Sequence, residues 1–283
     1  MNASVVVPTR NRRGELARCL GALNVQHTER SYEVIVVDDG SLPPLLEADT
    51  RPAVLIRGRG DGPAAARNAG IAHAQGDFVL FTDDDAIPDL DWVEKACDFL
   101  ERSPDYVGVG GRTVSPRFDY LYEHSVECDD AAFWTCNVAY RRDTLQRLGG
   151  FYEGFRDAHC EDLDLGYRAL EVGQFGFEPD MRVAHLPRPV PLREHVRRGR
   201  LATAEALLYS RHPDRYPVPR WLPRRGLAVV GVLVHWAEAM RREGLALIGS
   251  PRRLGRFLVA AVGQSVVATG SVLGPPRGRR GRA

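Results

Sequence analysis

Two apolar runs in the first third of the chain each stop abruptly on a cluster of aspartates. Val34 to Val37 ends at Asp38-Asp39-Gly40-Ser41, and Phe78 to Phe81 ends just before Asp83-Asp84-Asp85. A third run, Val5 to Val7, stops at Pro8, and a fourth spans Val54 to Ile56. None of these runs alternates with polar residues, so each reads as a strand buried on both faces. Between them lie helix-like stretches: Leu16 to Leu23, Pro63 to Ala74 with a proline in its first turn, and residues 89 to 101. Strands of this kind separated by helices specify an α/β fold with a mostly parallel sheet covered on both faces.

In such a sheet, ligands collect at the carboxyl ends of the strands. Both acidic clusters fall there. Two sets of carboxylates facing one crevice repel unless something positive sits between them. Hard carboxylate oxygens suit Mg2+ or Mn2+, so the spacing predicts a divalent cation site.

Residues 105 to 185 alternate less regularly. A helix is expected from Glu161 to Val172, opening on acids that favour a helix N-terminus. Short strands are expected at Phe175 to Phe177 and at Arg182 to Ala184. Pro187, Pro189 and Pro191 form a stiff connector, and residues 194 to 209 read as a basic helix. Gly226 to Trp236 is strongly apolar. Phe257 to Gly274 carries no charge, and Pro275 to Ala283 is rich in arginine.

The net charge of +1 gives no bulk argument for nucleic acid. It conceals a split, with acids concentrated before about residue 180 and arginines after it. The five cysteines, Cys19, Cys97, Cys128, Cys136 and Cys160, match neither a disulfide framework nor a zinc site. No basic segment followed by a long apolar one opens the chain. A reduced, cytoplasmic protein is therefore expected.

Several motifs occur in a telling order. They are Val5-Val6-Val7-Pro8-Thr9-Arg10-Asn11-Arg12, Val34 to Ser41, Gly62-Pro63-Ala64-Ala65-Ala66-Arg67-Asn68-Ala69-Gly70 and Asp83-Asp84-Asp85. Gly149-Gly150-Phe151 and Glu161-Asp162-Leu163-Asp164-Leu165 follow. The ordered set resembles family 2 of the glycosyltransferases, which have the GT-A fold, over roughly residues 4 to 186.

The resemblance implies a GT-A catalytic domain at 1–186, with a donor-binding half to about 110 and an acceptor half at 111–186. Residues 187–283 form a helical extension. It implies inverting transfer of a sugar from a UDP- or dTDP-sugar, with Mn2+ or Mg2+ on the diphosphate. The acceptor is a glycan, a lipid-linked molecule or a small molecule. Pro8, Thr9, Arg10 and Asp38 would hold the base and ribose, with Arg67 against the base or a phosphate. Asp83 and Asp84 belong to the donor site, and Asp85 is the metal ligand. Asp162 is the general base that deprotonates the acceptor hydroxyl. His185, in a Val-x-His pattern, is a further metal ligand. Trp134, Asn137 and Glu161 would shape the sugar and acceptor site. Asp39 is expected to serve turn chemistry only.

Two rival classes remain as alternatives: a non-catalytic nucleotide-sugar binder and a GT-A-like nucleotidyltransferase. Asp162 stands against the first, and the lack of a glycine-rich loop after the first strand stands against the second. For the C-terminal hundred residues two readings stay open. One is an interfacial helix that puts the protein peripherally on the cytoplasmic face of the membrane, in keeping with a cell-envelope product. The other is a packed helical subdomain or homodimer surface.

Overall fold

The computed structural model describes residues 1–116, 119, 122–216 and 250–273. The apolar run Gly226 to Trp236 and the tail Pro275 to Ala283 lie outside the described residues. The chain divides into two units, residues 1–118 with 125–188, and residues 119–124 with 189–283. The second unit thus takes the short segment 119–124 together with everything from Pro189 onward.

In chain order the first elements are β1 (Ala3–Thr9), α1 (Arg13–Leu23), β2 (Tyr32–Asp38), β3 (Val54–Arg57), α2 (Pro63–His73), β4 (Phe78–Phe81) and β5 (Ala86–Pro88). Then come α3 (Trp92–Arg102), β6 (Tyr106–Val114), β7 (Glu123–His124), β8 (Val138–Arg141), α4 (Arg142–Leu148) and α5 (Glu161–Leu170). The remainder are β9 (Gln174–His185), β10 (Arg188–Pro189), α6 (Leu192–Arg197), α7 (Ala202–Arg211) and α8 (Pro251–Leu273). A short 3-10 turn at Arg198–Leu201 divides the expected basic helix into α6 and α7.

Eight of the strands form one sheet in the order β3-β2-β1-β4-β8-β6-β9-β5. β1 pairs in parallel with both β2 and β4, and β2 with β3. Beyond β4 the sheet turns mixed: β8 is antiparallel to β4 and β6, β9 is parallel to β6, and β5 is antiparallel to β9.

Strand residues alternate between two buried layers, as the period of two requires. Val5, Val7, Val34, Val36, Phe78 and Leu80 pack with Leu16, Leu20 and Leu23 of α1 and Trp92, Val93 and Leu100 of α3. Val6, Ile35, Val37, Val79 and Phe81 pack with Ala64 and Ala66 of α2, Leu145 of α4 and Leu165 and Ala169 of α5. Both faces are covered, which is why these strands carry no polar alternation. Helix α2 lies very close to β1: a Cβ added at Gly70 would stand 2.4 Å from Val6 Cγ1. That close approach draws Arg67, on the same helix, over the strand ends.

The second unit contains α6, the 3-10 turn, α7 and α8. The small residues Gly199 and Gly263 let α8 approach its neighbours, since a Cβ at Gly263 would meet Val196 at 2.7 Å. Gln264 Nε2 donates to the His195 carbonyl at 2.6 Å. Phe257, Ala260 and Ala268 complete the buried side of α8.

Candidate active site

The register of the sheet assembles the site. Thr9, the last residue of β1, stands opposite Asp38, the last of β2. Val6 stands opposite Phe81, so the turn Asp83-Asp84-Asp85 leaves β4 at the same end of the sheet. On the other side, β9 pairs with β5 so that His185 faces Ala86. A strand from late in the chain thereby carries its last residue to the residue after Asp85.

Asp83, Asp85 and His185 form one cluster, each offering a ligand atom within 4.8 Å of the others. His185 Nε2 lies 3.3 Å from Asp85 Oδ1. The opposite ring nitrogen, Nδ1, lies 3.2 Å from Ser125 Oγ, whose hydroxyl donates to the His185 carbonyl at 2.8 Å. Its oxygen can accept an Nδ1–H, the tautomer that would turn the Nε2 lone pair towards a cation beside Asp85. The donor set of two carboxylates and an oriented imidazole therefore fits a divalent cation of the Mn2+ or Mg2+ kind.

Asp85 has cationic neighbours as well. Arg12 Nη1 lies 3.1 Å from Asp85 Oδ2 and 2.8 Å from Asp84 Oδ1, and Arg188 Nε lies 3.5 Å from Asp85 Oδ2. Asp84 faces away from the cluster. Its Oδ2 accepts from Thr9 Oγ1 at 2.7 Å, tying the acidic turn to the end of β1. Burial pushes the Asp84 carboxyl up to about 6, against the pull of Arg12 and with repulsion from Asp85. Thr9 and Asp84 were expected in contact with the donor; here their side chains hold each other.

Arg67 occupies the middle of the site, 2% exposed. Its Nη2 lies 2.9 Å from Asp83 Oδ1 and its Nη1 lies 2.9 Å from Glu161 Oε1. One buried guanidinium thus joins the acidic turn after β4 to the start of α5. Phe151 lies beneath it, with the guanidinium carbon 5.8 Å from the ring centre. That ring is fixed in turn by Asn68, whose Oδ1 accepts from Phe151 N–H at 2.8 Å and whose Nδ2 donates to the Phe151 carbonyl at 2.9 Å. The two preceding glycines have φ of +72° and +69°, backbone angles that suit glycine, and they turn the chain out of α4 towards this contact.

Asp162 lies in the first turn of α5 and is half-buried. Its carboxyl is raised, first by burial, while Arg67 and the Leu163 N–H, 2.8 Å from Oδ1, act in the opposite direction. Glu161 is raised too, by burial and then by Asp162, with Arg67 opposing. A half-buried carboxylate held above its ordinary range, beside Glu161 and near Arg67, suits a general base. Asp164 is structural, buried and paired with Arg168 at 3.0 Å.

The remaining expected residues differ in placement. Asp38 is buried, and its oxygens accept from Ser41 N–H at 2.9 Å, Leu45 N–H at 3.0 Å and Arg57 at 2.6 Å. Those donors hold it below the usual carboxylate range despite its burial, so a base would share the carboxylate with them. Pro8 is half-buried beside it and Arg10 is exposed. Asp39 accepts from Gly60 and Gly62 N–H groups and braces the loop before α2. Trp134 is half-buried. Asn137, expected at the sugar and acceptor site, is buried, its amide accepting from Trp92 Nε1 at 2.8 Å and donating to the Arg112 and Met181 carbonyls. Arg12, Asn68, Ser125 and Arg188 were missed. The first two stand inside the quoted motifs, whereas Ser125 and Arg188 carry no sequence signal.

Comparison with known proteins agrees with this geometry. Residues 4–160 match the family model described as Glycosyl transferase family 2. The pre-mycofactocin glycosyltransferase of Mycobacterium tuberculosis is 33% identical over 242 residues, covering 76% of this chain and 49% of that protein. Glycosyltransferase AglE of Haloferax volcanii is 29% identical over 207 residues, covering 66% of this chain and 67% of its own. Among solved structures, the mannosyltransferase PcManGT of Pyrobaculum calidifontis, in complex with GDP-Man and Mn2+, aligns with a TM-score of 0.59 at 22% identity. That alignment covers 96% of this chain and 87% of the other. S. aureus TarS in complex with UDP aligns with a TM-score of 0.54 at 18% identity, covering 95% and 91%. The fold and its acidic crevice define a GT-A protein. The chain belongs to family 2 of the glycosyltransferases. It spans about half the length of the first curated relatives it matches.

Proposed function

We propose that this protein transfers a sugar, with inversion, from a nucleotide diphosphate sugar to an acceptor hydroxyl. The observation that carries the reading is the joining of two acidic motifs around Arg67. Asp83, in the cation cluster, and Glu161, beside Asp162, bind the same guanidinium. That shared guanidinium supports a reading in which donor and acceptor chemistry meet at the strand ends.

Asp83, Asp85 and His185 would hold Mn2+ or Mg2+, which when bound neutralises charge on the diphosphate leaving group. Asp162 accepts the proton of the acceptor hydroxyl as its oxygen bonds to the anomeric carbon. The bond from that carbon to the nucleoside diphosphate breaks, and its electron pair leaves with the phosphate. A single displacement inverts the anomeric configuration. Thr9, Asp84 and Arg12 keep the acidic turn against the end of β1, so the ligand atoms are in place before the donor arrives. Pro8, Arg10 and Asp38 border the space left for base and ribose, and Trp134 flanks the sugar side. Solved relatives of the same fold in complex with UDP, UDP-GlcNAc and GDP-Man with Mn2+ support a nucleotide-sugar donor. The acceptor is a glycan, a lipid-linked molecule or a small molecule bearing the hydroxyl.

A thermal-shift screen of nucleotide sugars with Mn2+ tests the reading. One donor family should raise the melting temperature only when the metal is present. No stabilisation by any nucleotide sugar, with or without metal, would overturn it.

A further inference from the structure

Helix α8 is apolar on two opposite sides, and the outward side carries branched aliphatic residues. The side packed within the second unit carries Phe257, Ala260, Gln264 and Ala268. The other carries Leu254, Leu258, Val259, Val262 and Val266, and the last four are each more than half exposed. At 100° per residue these five fall on one continuous arc. No charged residue occurs from Phe257 to Leu273. Among the described residues nothing covers this aliphatic stripe, and an exposed apolar face of this kind marks an interaction surface.

Charge identifies the occupant. From residue 189 to the end of the chain, eighteen arginines stand against five acidic residues, and there is no lysine. Arg252, two residues before Leu254, is exposed at about 160° from it on the same wheel, at the edge of the stripe. An exposed guanidinium at the edge of an aliphatic stripe, in a segment this rich in arginine, matches a surface that is apolar beneath and anionic on top. Among the described residues no helix is long and apolar enough to cross a membrane, so the matching geometry is a helix lying in the plane of the interface. We propose that the outer face of α8 docks the second unit onto the surface of a bilayer bearing anionic lipid headgroups.

The test is co-sedimentation of the full chain with vesicles of phosphatidylcholine, with and without phosphatidylglycerol. The protein should pellet with the anionic vesicles and be released as salt is raised. The double variant Leu258→Asp/Val262→Asp should lose about tenfold or more of that binding. Its melting temperature and its transfer to a soluble acceptor should stay unchanged, because these positions face outward and lie outside the catalytic unit. Binding that is equal in wild type and variant would overturn the proposal. So would a vesicle-free dimer that the variant dissolves, which would make the stripe a contact between copies. A fall in the variant's melting temperature without vesicle binding would assign the stripe to cover by the chain itself, and would also overturn it. Each of these results leaves the sugar-transfer reading standing, since that reading is scored on donor binding alone.

Discussion

Glu161 Oε1 accepts from Arg67 Nη1 at 2.9 Å, and both side chains are 3% exposed. A charge pair this deeply buried is unforgiving. Its partners were brought from α2 and α5, and the second arm of the guanidinium reaches Asp83. Glu161 Oε2 and Arg67 Nε are buried without a hydrogen-bond partner, so the pair depends on its remaining contacts.

The first prediction concerns that pair. Arg67→Met leaves Glu161 as a buried, uncompensated carboxylate and should cost about 3–5 kcal/mol in urea unfolding. Adding Glu161→Gln removes the stranded charge and should recover much of the loss, giving a clear coupling in a double-mutant cycle. Simple additivity of the two changes would deny the bridge.

The second prediction separates binding from chemistry. Asp162→Asn should lower the transfer rate by about 10²–10⁴, the range of a general base, while donor affinity measured by calorimetry stays the same. Loss of donor binding instead would make Asp162 a structural residue.

A third prediction follows from the raised carboxyl of Asp162. The base works only when deprotonated, so activity should fall on acidification at a pH above the ordinary aspartate value. Stability runs the other way. A carboxyl raised in the folded state binds its proton more tightly there than in the unfolded chain. Its favourable contribution is complete below the unfolded value and is lost as pH rises through the folded one. Asp162→Asn should therefore melt above wild type at pH 8, with the gap closing towards pH 4. A gap that widens on acidification would contradict the shift.

Much of this was legible in sequence, for identifiable reasons. Strands β1, β2 and β4 are buried on both faces, so they read as unbroken apolar runs, and the acidic turns after them could be located. The antiparallel join of β4 to β8 was not legible, because it is a pairing between distant segments with no local signature. Strand β9 was read as two short pieces because Glu178-Pro179-Asp180 interrupts its apolar pattern. The strand continues through them, and its register to β6 shifts between Gly111 and Thr113 to absorb the extra residues. The partner of Asn137 was not legible either: its amide oxygen accepts from Trp92, forty-five residues earlier in the chain, a contact with no local signature.

The fourth prediction concerns Ser125, which sequence alone did not single out. Its hydroxyl oxygen lies 3.2 Å from His185 Nδ1 and donates to the His185 carbonyl. Ser125→Ala should weaken Mn2+ binding about 10–100-fold, as loss of a residue supporting a metal-ligating histidine does, with little change in the metal-free melting temperature. Unchanged Mn2+ affinity in this variant would remove His185 from the ligand set.

The central claim is that Asp83, Asp85 and His185 hold a divalent cation on the diphosphate of a nucleotide sugar. The most direct measurement is isothermal titration of the donor found by the thermal-shift screen, with Mn2+ and then with chelator, into wild type and Asp85→Asn. Binding should be tight with Mn2+, and should weaken by at least about tenfold, roughly 1.4 kcal/mol, on chelation or in the variant. Equal donor affinity under all four conditions would contradict the account.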